Sequence, residues 1–157
     1  MLNEANALFV RRFTSMSVGV RDAQNRPVVG RALGCCVSSD RRTLTIFLSA
    51  SRAVQLLECL RNNGAIALAV TRPTTHETLQ FKGSVLDIRP LSPEDKVEME
   101  GYRESFIQEL ATIGYNRQMA SGVVAGPEDA IAVVFEPAAI FNQTPGPKAG
   151  TKLETRP

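Results

Sequence analysis

Ser49-Ala50-Ser51-Arg52 is where residue type and spacing point most directly to chemistry. The segment joins an apolar run, Thr43 to Leu48, to the start of a helical pattern, so its backbone N–H groups fall at the positive end of a helix dipole. Two hydroxyls and a guanidinium join them, and this is the donor set that a phosphate dianion requires. Arg31, on a preceding strand, offers a second guanidinium. The plainer reading of the same residues makes Ser51 a helix N-cap and Arg52 a solvated first-turn residue. Gln80 and Lys82 are two long polar side chains on one face of a predicted strand, which either line a pocket or coat a solvated sheet face.

Other reactive residues are few. His76 is the one histidine in the chain, so a zinc site built on two imidazoles is impossible, and haem could receive one axial histidine at most. No metal site is expected. In its polar loop beside Glu77 this imidazole reads as solvated, with proton donation to a substrate as the sharper alternative. The cysteines number 3, and the adjacent Cys35 and Cys36 would point to opposite faces of a strand. Reduced, buried thiols in a cytoplasmic protein suit that pattern better than disulfides or redox chemistry. Glu94, Asp95, Glu98, Glu100 and Glu104 read as the wet face of a helix rather than as paired catalytic acids.

The elements that must hold these residues begin with a strand over Thr14 to Asp22, a turn over Ala23 to Pro27, and a hairpin return over Val28 to Val37. Thr43 to Leu48 continues the meander. Ala53, Leu56, Leu57 and Leu60 recur at the spacing of one helical face, and Asn62-Asn63-Gly64 ends that helix. Ile66 to Val70 and Thr78 to Ile88 are strands on either side of a loop containing His76. Ser92-Pro93-Glu94-Asp95 combines a hydroxyl cap, a first-turn proline and acids facing the dipole, and Met99, Tyr102, Phe106, Leu110 and Ile113 stripe the helix it starts. Gly122 to Pro127 reads as a loop, and Ala130 to Phe135 with Ala139 to Asn142 as a strand pair or one bent strand. Five to seven antiparallel strands with inserted helices describe a closed or partly closed barrel. A parallel α/β sheet is the alternative.

A chain of 157 residues predicts one domain, since domains run to roughly 150 residues. We expect the domain over 1–142 and a Pro/Gly-rich C-terminal arm or tail over 143–157. Apolar residues at 43% and charged residues at 22% are ordinary globular proportions, which exclude disorder for most of the chain. The net charge is +2 and basic residues do not run beyond pairs such as Arg11-Arg12, so nucleic acid is not an expected partner. Neither a leader-like N-terminus nor an apolar stretch of about 18 residues is present, and no membrane association is expected.

The order Pro27, Arg31, a strand, Ser49-Ala50-Ser51-Arg52, a helix ending in Asn62-Asn63, an apolar strand and then Gln80-Phe81-Lys82-Gly83 resembles the pyridoxamine 5'-phosphate oxidase-like superfamily. The resemblance spans positions 14 to 90. It implies a mainly β protein with inserted helices, an antiparallel split β-barrel of the flavin-binding type, acting as a homodimer with FMN at the subunit interface. It assigns Arg31, Ser49, Ser51 and Arg52 to the phosphate, and Gln80 and Lys82 to the lining of the flavin site. Within the superfamily a deazaflavin can replace FMN.

Departures from the oxidase pattern matter as well. Ala53 stands where those enzymes follow Ser-Arg with Lys, Thr78 stands where they carry Gln, and Trp is absent, which removes their C-terminal Arg-x-Trp signature. The expectation is therefore an FMN-dependent oxidoreductase acting on a small-molecule substrate, and not a true pyridoxamine 5'-phosphate oxidase. The alternatives are a non-catalytic flavin- or haem-binding protein of the same fold and a barrel with a purely structural role.

Overall fold

A computed structural model describes residues 2–124 and 128–153. The described elements are α1 (Glu4–Phe9), β1 (Ser15–Arg21), β2 (Pro27–Arg31), β3 (Cys35–Val37), β4 (Leu44–Ser49), α2 (Val54–Asn63), β5 (Ala65–Thr71), β6 (Thr78–Pro90), α3 (Pro93–Thr112), α4 (Arg117–Val123), β7 (Ala130–Asn142) and β8 (Lys152–Leu153). Seven strands follow the order β2-β1-β5-β6-β7-β4-β3, with β8 added beside β7, and every pair is antiparallel. The sheet curls without closing, as a split barrel does. The parallel α/β alternative falls.

Alternation sets the faces. On β5, Ile66, Leu68 and Val70 are buried while Ala65, Ala67, Ala69 and Thr71 are not, and β1 buries Met16, Val18 and Val20 in the same way. These side chains meet Leu56, Leu57 and Leu60 of α2 and Phe81, Phe135 and Ile140 of β6 and β7 in one apolar core. The opposite face carries Gly19, Ala67, Lys82 and Ala139 in one register row, with Ser17, Ala69, Gln80 and Phe141 in the next.

The expected hairpin return over 28–37 is two strands. β2 pairs with β1, and β3 pairs with β4 at the far edge of the sheet. Between them the chain crosses over: Ala32 N–H donates to the Met16 carbonyl, Leu33 N–H to the Phe47 carbonyl, and Phe47 N–H to the Gly34 carbonyl. Gly34 has φ +148, and a Cβ there would lie 3.2 Å from the Tyr102 Cβ, so glycine is required by both conformation and space.

Two helices go beyond the sequence reading. α1 is capped by Asn3, and α4, capped by Asn116, replaces the start of the loop expected over Gly122 to Pro127, of which 125–127 lie outside the described residues. α3 begins with a full capping box between Ser92 and Asp95. Asp95, expected on the wet face of this helix, is instead 5% exposed and paired with Arg89. Glu98 is likewise engaged, with Arg11 and Arg12. Of the predicted stripe, Tyr102, Phe106 and Leu110 are buried and Ile113 is exposed.

β7 is one bent strand, and its register against β6 shifts between Lys82 and Gly83 and again between Val85 and Asp87. Gly83 makes the first shift possible, since a Cβ there would stand 2.0 Å from the Glu136 carbonyl oxygen. Beyond Asn142 the Pro-Gly-Pro segment turns back on itself. Gly150 N–H donates to the Asn142 carbonyl, Thr78 N–H donates to the Thr144 hydroxyl, and β8 lies against Ile140 and Phe141.

Candidate anion and cofactor site

β4 ends at Ser49, where the chain turns toward α2. Ser49 is 5% exposed, and it organises the turn with both of its oxygens: the carbonyl accepts Ala53 N–H at 2.9 Å and the hydroxyl accepts Arg52 N–H at 3.3 Å. Ser51 is therefore not the N-cap of α2. That position belongs to Ala53, which offers no side-chain acceptor. The first turn of α2 thus keeps its backbone donors without a capping side chain.

Arg31, Ser49 and Arg52 line one enclosed cleft of about 90 Å³, together with Gly30, Leu33, Ala53 and Val123. This volume accommodates a group of phosphate size and not a flavin ring. Arg52 is exposed, and among the described residues its guanidinium forms no ion pair. Arg31 is held differently. Its guanidinium carbon sits 5.0 Å from the Phe106 ring centroid, and Nη1 donates to the Ser15 hydroxyl at 3.3 Å. Arg31 Nε and Nη2 are buried and have no acceptor among the described residues. The Tyr102 hydroxyl of α3 and the Thr14 hydroxyl are also buried without a partner among the described residues. Burial pushes the Tyr102 phenol well above its ordinary range, with the Arg31 charge pulling against it. Among the described residues, then, Arg31 is a part-buried cation with two buried N–H groups unused and no carboxylate partner, an arrangement that an anion would complete.

Asp129, the residue before β7, is the group the sequence reading missed. Its carboxylate accepts the Ser51 N–H at 2.6 Å and the Ser49 hydroxyl at 3.1 Å, and its carbonyl accepts Ala50 N–H at 3.2 Å. The bonds from Ser51, side chain and backbone, hold the Asp129 carboxyl below the ordinary range.

Gln80 and Lys82 stand apart from this cleft. Gln80 Oε1 accepts from Gln143 Nε2 at 3.2 Å, and the Lys82 ammonium lies 4.9 Å from the Phe141 ring centroid. Lys82 lines a groove of about 360 Å³ on the outer sheet face with Gly19, Arg21, Ala65, Ala67 and Gly83. His76 sits exposed in the turn after β5 with φ +60, its N–H donating to the Arg72 carbonyl. Cys35 is fully buried and Cys36 partly so; desolvation raises both thiols, and both are free. No group of acids, cysteines and histidine that could hold a metal ion occurs among the described residues, and no described helix is long and apolar enough to cross a membrane.

The fold is that of the flavin-binding split barrels. An F420 reductase matches with a TM-score of 0.56 and 17% identity, over 88% of this chain and 98% of its own. A candidate pyridoxamine 5'-phosphate oxidase from Lactobacillus delbrueckii matches with a TM-score of 0.56 and 15% identity, over 89% of this chain and 93% of its own. An FMN-binding protein from Syntrophomonas wolfei matches with a TM-score of 0.54 and 9% identity, over 86% of this chain and 84% of its own. No family model and no curated protein matches the sequence.

Proposed function

We propose that this chain is an FMN-binding member of the pyridoxamine 5'-phosphate oxidase-like superfamily that works as an oxidoreductase on a small molecule. The observation that carries the reading is Arg31: a part-buried guanidinium that has no carboxylate and two buried N–H groups unused among the described residues, on a side chain that lines one cleft with Ser49 and Arg52. These residues fit the phosphate end of FMN. Arg31 would hold it from the cleft wall and Arg52 through its exposed guanidinium, with Leu33 and Val123 lining the rest of the cleft. When bound, the isoalloxazine supplies hydride chemistry, and the protein supplies binding and orientation.

The ring itself would lie outside this cleft, on a surface completed by a second copy of the chain. The outer sheet face supports that assembly, because Gly19, Ala67, Ala69 and Ala139 pave it with small side chains that let another sheet or a flat ring approach closely. Lys82 and Gln80 on that face would border the ring. The same reading makes the protein a cytoplasmic homodimer, with deazaflavin as the alternative cofactor. Pyridoxamine 5'-phosphate is not its substrate, because the C-terminal segment that should anchor a pyridine ring turns back onto β7 through Gly150 and Thr144 and carries no tryptophan.

The absorption spectrum of the purified protein, before and after incubation with FMN, tests the reading. Paired flavin bands are the expected result. A Soret band would replace it with a haem protein, and a sample that stays colourless after FMN and desalting would overturn it.

A further inference from the structure

The turn that presents Ser49, Ser51 and Arg52 already contains an anion of its own. Asp129 takes the Ser51 N–H and the Ser49 hydroxyl, two of the donors that a phosphate at this turn would otherwise use. We propose that Asp129 is a built-in competitor for the anion cleft, a fixed carboxylate that weakens the binding of doubly charged phosphate monoesters and thereby sets how tightly the chain holds FMN. The inference rests on the reading of this cleft as the FMN phosphate site.

Charge and geometry carry it together. The cleft brings two cations, Arg31 and Arg52, and Ser49 joins its wall to the Asp129 carboxylate through one hydroxyl hydrogen. With Asp129 ionised, a negative charge stands bonded to Ser49 beside a cleft lined by two cations, an arrangement that suits a singly charged anion better than a dianion. A dianion must then displace Asp129 from a 2.6 Å bond to Ser51 N–H or sit beside it using Arg31 and Arg52 alone. Either route lowers affinity for the doubly charged ligand without touching the ring, which is how a repulsive element confers selectivity. The hydrogen bonds that keep Asp129 acidic ensure that the carboxylate is ionised at neutral pH. Asp129 is also removable as a charge without removing the turn. An asparagine retains a carbonyl oxygen for the Ser51 N–H, and the backbone carbonyl of residue 129 still accepts Ala50 N–H.

The test compares the wild-type protein with Asp129→Asn and Asp129→Ala. FMN and riboflavin are titrated by flavin fluorescence quenching, and inorganic phosphate by the shift it causes in the melting temperature. The proposal expects the FMN-to-riboflavin affinity ratio to rise about ten-fold or more in Asp129→Asn, and phosphate to stabilise that variant at lower concentration than the wild type. If Asp129→Asn fails to fold, Asp129→Ala is read by the same ratio. An unchanged or lower ratio in a folded variant overturns the competitor role while leaving FMN binding standing. A phosphate response that grows on removing Asp129, with no flavin bound by any form, supports the competitor and overturns the FMN reading. Absence of any response to phosphate or flavin in all forms overturns both.

Discussion

Replacing Arg31 with methionine should strengthen the free protein and cripple its hold on a phosphate, a combination that an ordinary structural arginine does not give. Methionine keeps the length of the stem but removes the charge. What is lost is the stacking of the guanidinium at 5.0 Å from the Phe106 ring and the 3.3 Å bond to Ser15. Together these are worth about 2 kcal/mol. What is relieved is the burial of Nε and Nη2, which have no acceptor among the described residues. At roughly 1–3 kcal/mol for each unsatisfied donor, relief meets or exceeds the loss. The expected balance is a gain of about 1–2 kcal/mol, which in a chain of this size raises the Tm by roughly 2–8 °C. Affinity for FMN should fall at least ten-fold relative to riboflavin, because a charge-assisted bond of about 1.5–3 kcal/mol is gone. Differential scanning calorimetry of the ligand-free protein and parallel flavin titrations give both numbers. A Tm several degrees lower, with the FMN-to-riboflavin ratio unchanged, would refute the reasoning and make Arg31 a packing residue.

The turn after β4 predicts an asymmetry between its two serines. Ser49→Ala should destabilise by about 1 kcal/mol, or roughly 2–4 °C in Tm, since its buried hydroxyl bonds Arg52 N–H and Asp129, whereas Ser51→Ala should stay within about 0.5 kcal/mol of the wild type, because its hydroxyl is solvent-exposed and the backbone N–H that makes the 2.6 Å bond to Asp129 is kept. Equal losses in thermal melts would contradict this. Gly83→Ala should prevent a native fold, given a Cβ placed 2.0 Å from the Glu136 carbonyl, and a soluble variant with wild-type circular dichroism and melting would remove the argument for a bulge there. Burial works to raise the Asp95 carboxyl, yet the bonds from Arg89 and Ser92 N–H win and hold it below its ordinary range, so the stability it contributes is complete above the unfolded value of about 3.9 and is lost as pH falls through the lower folded value. Urea midpoints of wild type and Asp95→Asn should therefore converge as pH is lowered toward 3, and a gap that stays constant with pH would count against the account.

The parts of this fold that could be read from sequence are those in which one stretch carries its own signal. β5 alternates Ile66, Leu68 and Val70 with alanines, α2 repeats Leu56, Leu57 and Leu60, and α3 announces itself at Ser92-Pro93. The crossing at 32–34 carries no such signal, because Leu33 and Gly34 find their partner in Phe47, and only that pairing divides one β-like run into two strands at opposite edges of the sheet. α1 and α4 are too short to show a helical period, although Asn3 and Asn116 do mark their starts. Arg31, Ser49 and Arg52 were legible as a donor set because residue type alone limits what they can bind. Two features of the site were not. Asp129 reaches Ser49 across 80 residues of sequence, and the stacking of Arg31 under Phe106 depends on where α3 crosses the sheet.

The central claim is that the Arg31, Ser49 and Arg52 cleft binds the phosphate of FMN. Equilibrium titration of the wild-type protein with FMN and with riboflavin, repeated on Arg52→Ala, tests it most directly. Arg52 is exposed and its side chain has no partner among the described residues, so its removal should leave the Tm in place. The account predicts FMN binding in preference to riboflavin, and a loss of that preference by roughly ten-fold to a hundred-fold on removing the guanidinium. FMN and riboflavin bound with equal affinity, unaffected by Arg52→Ala, would contradict it.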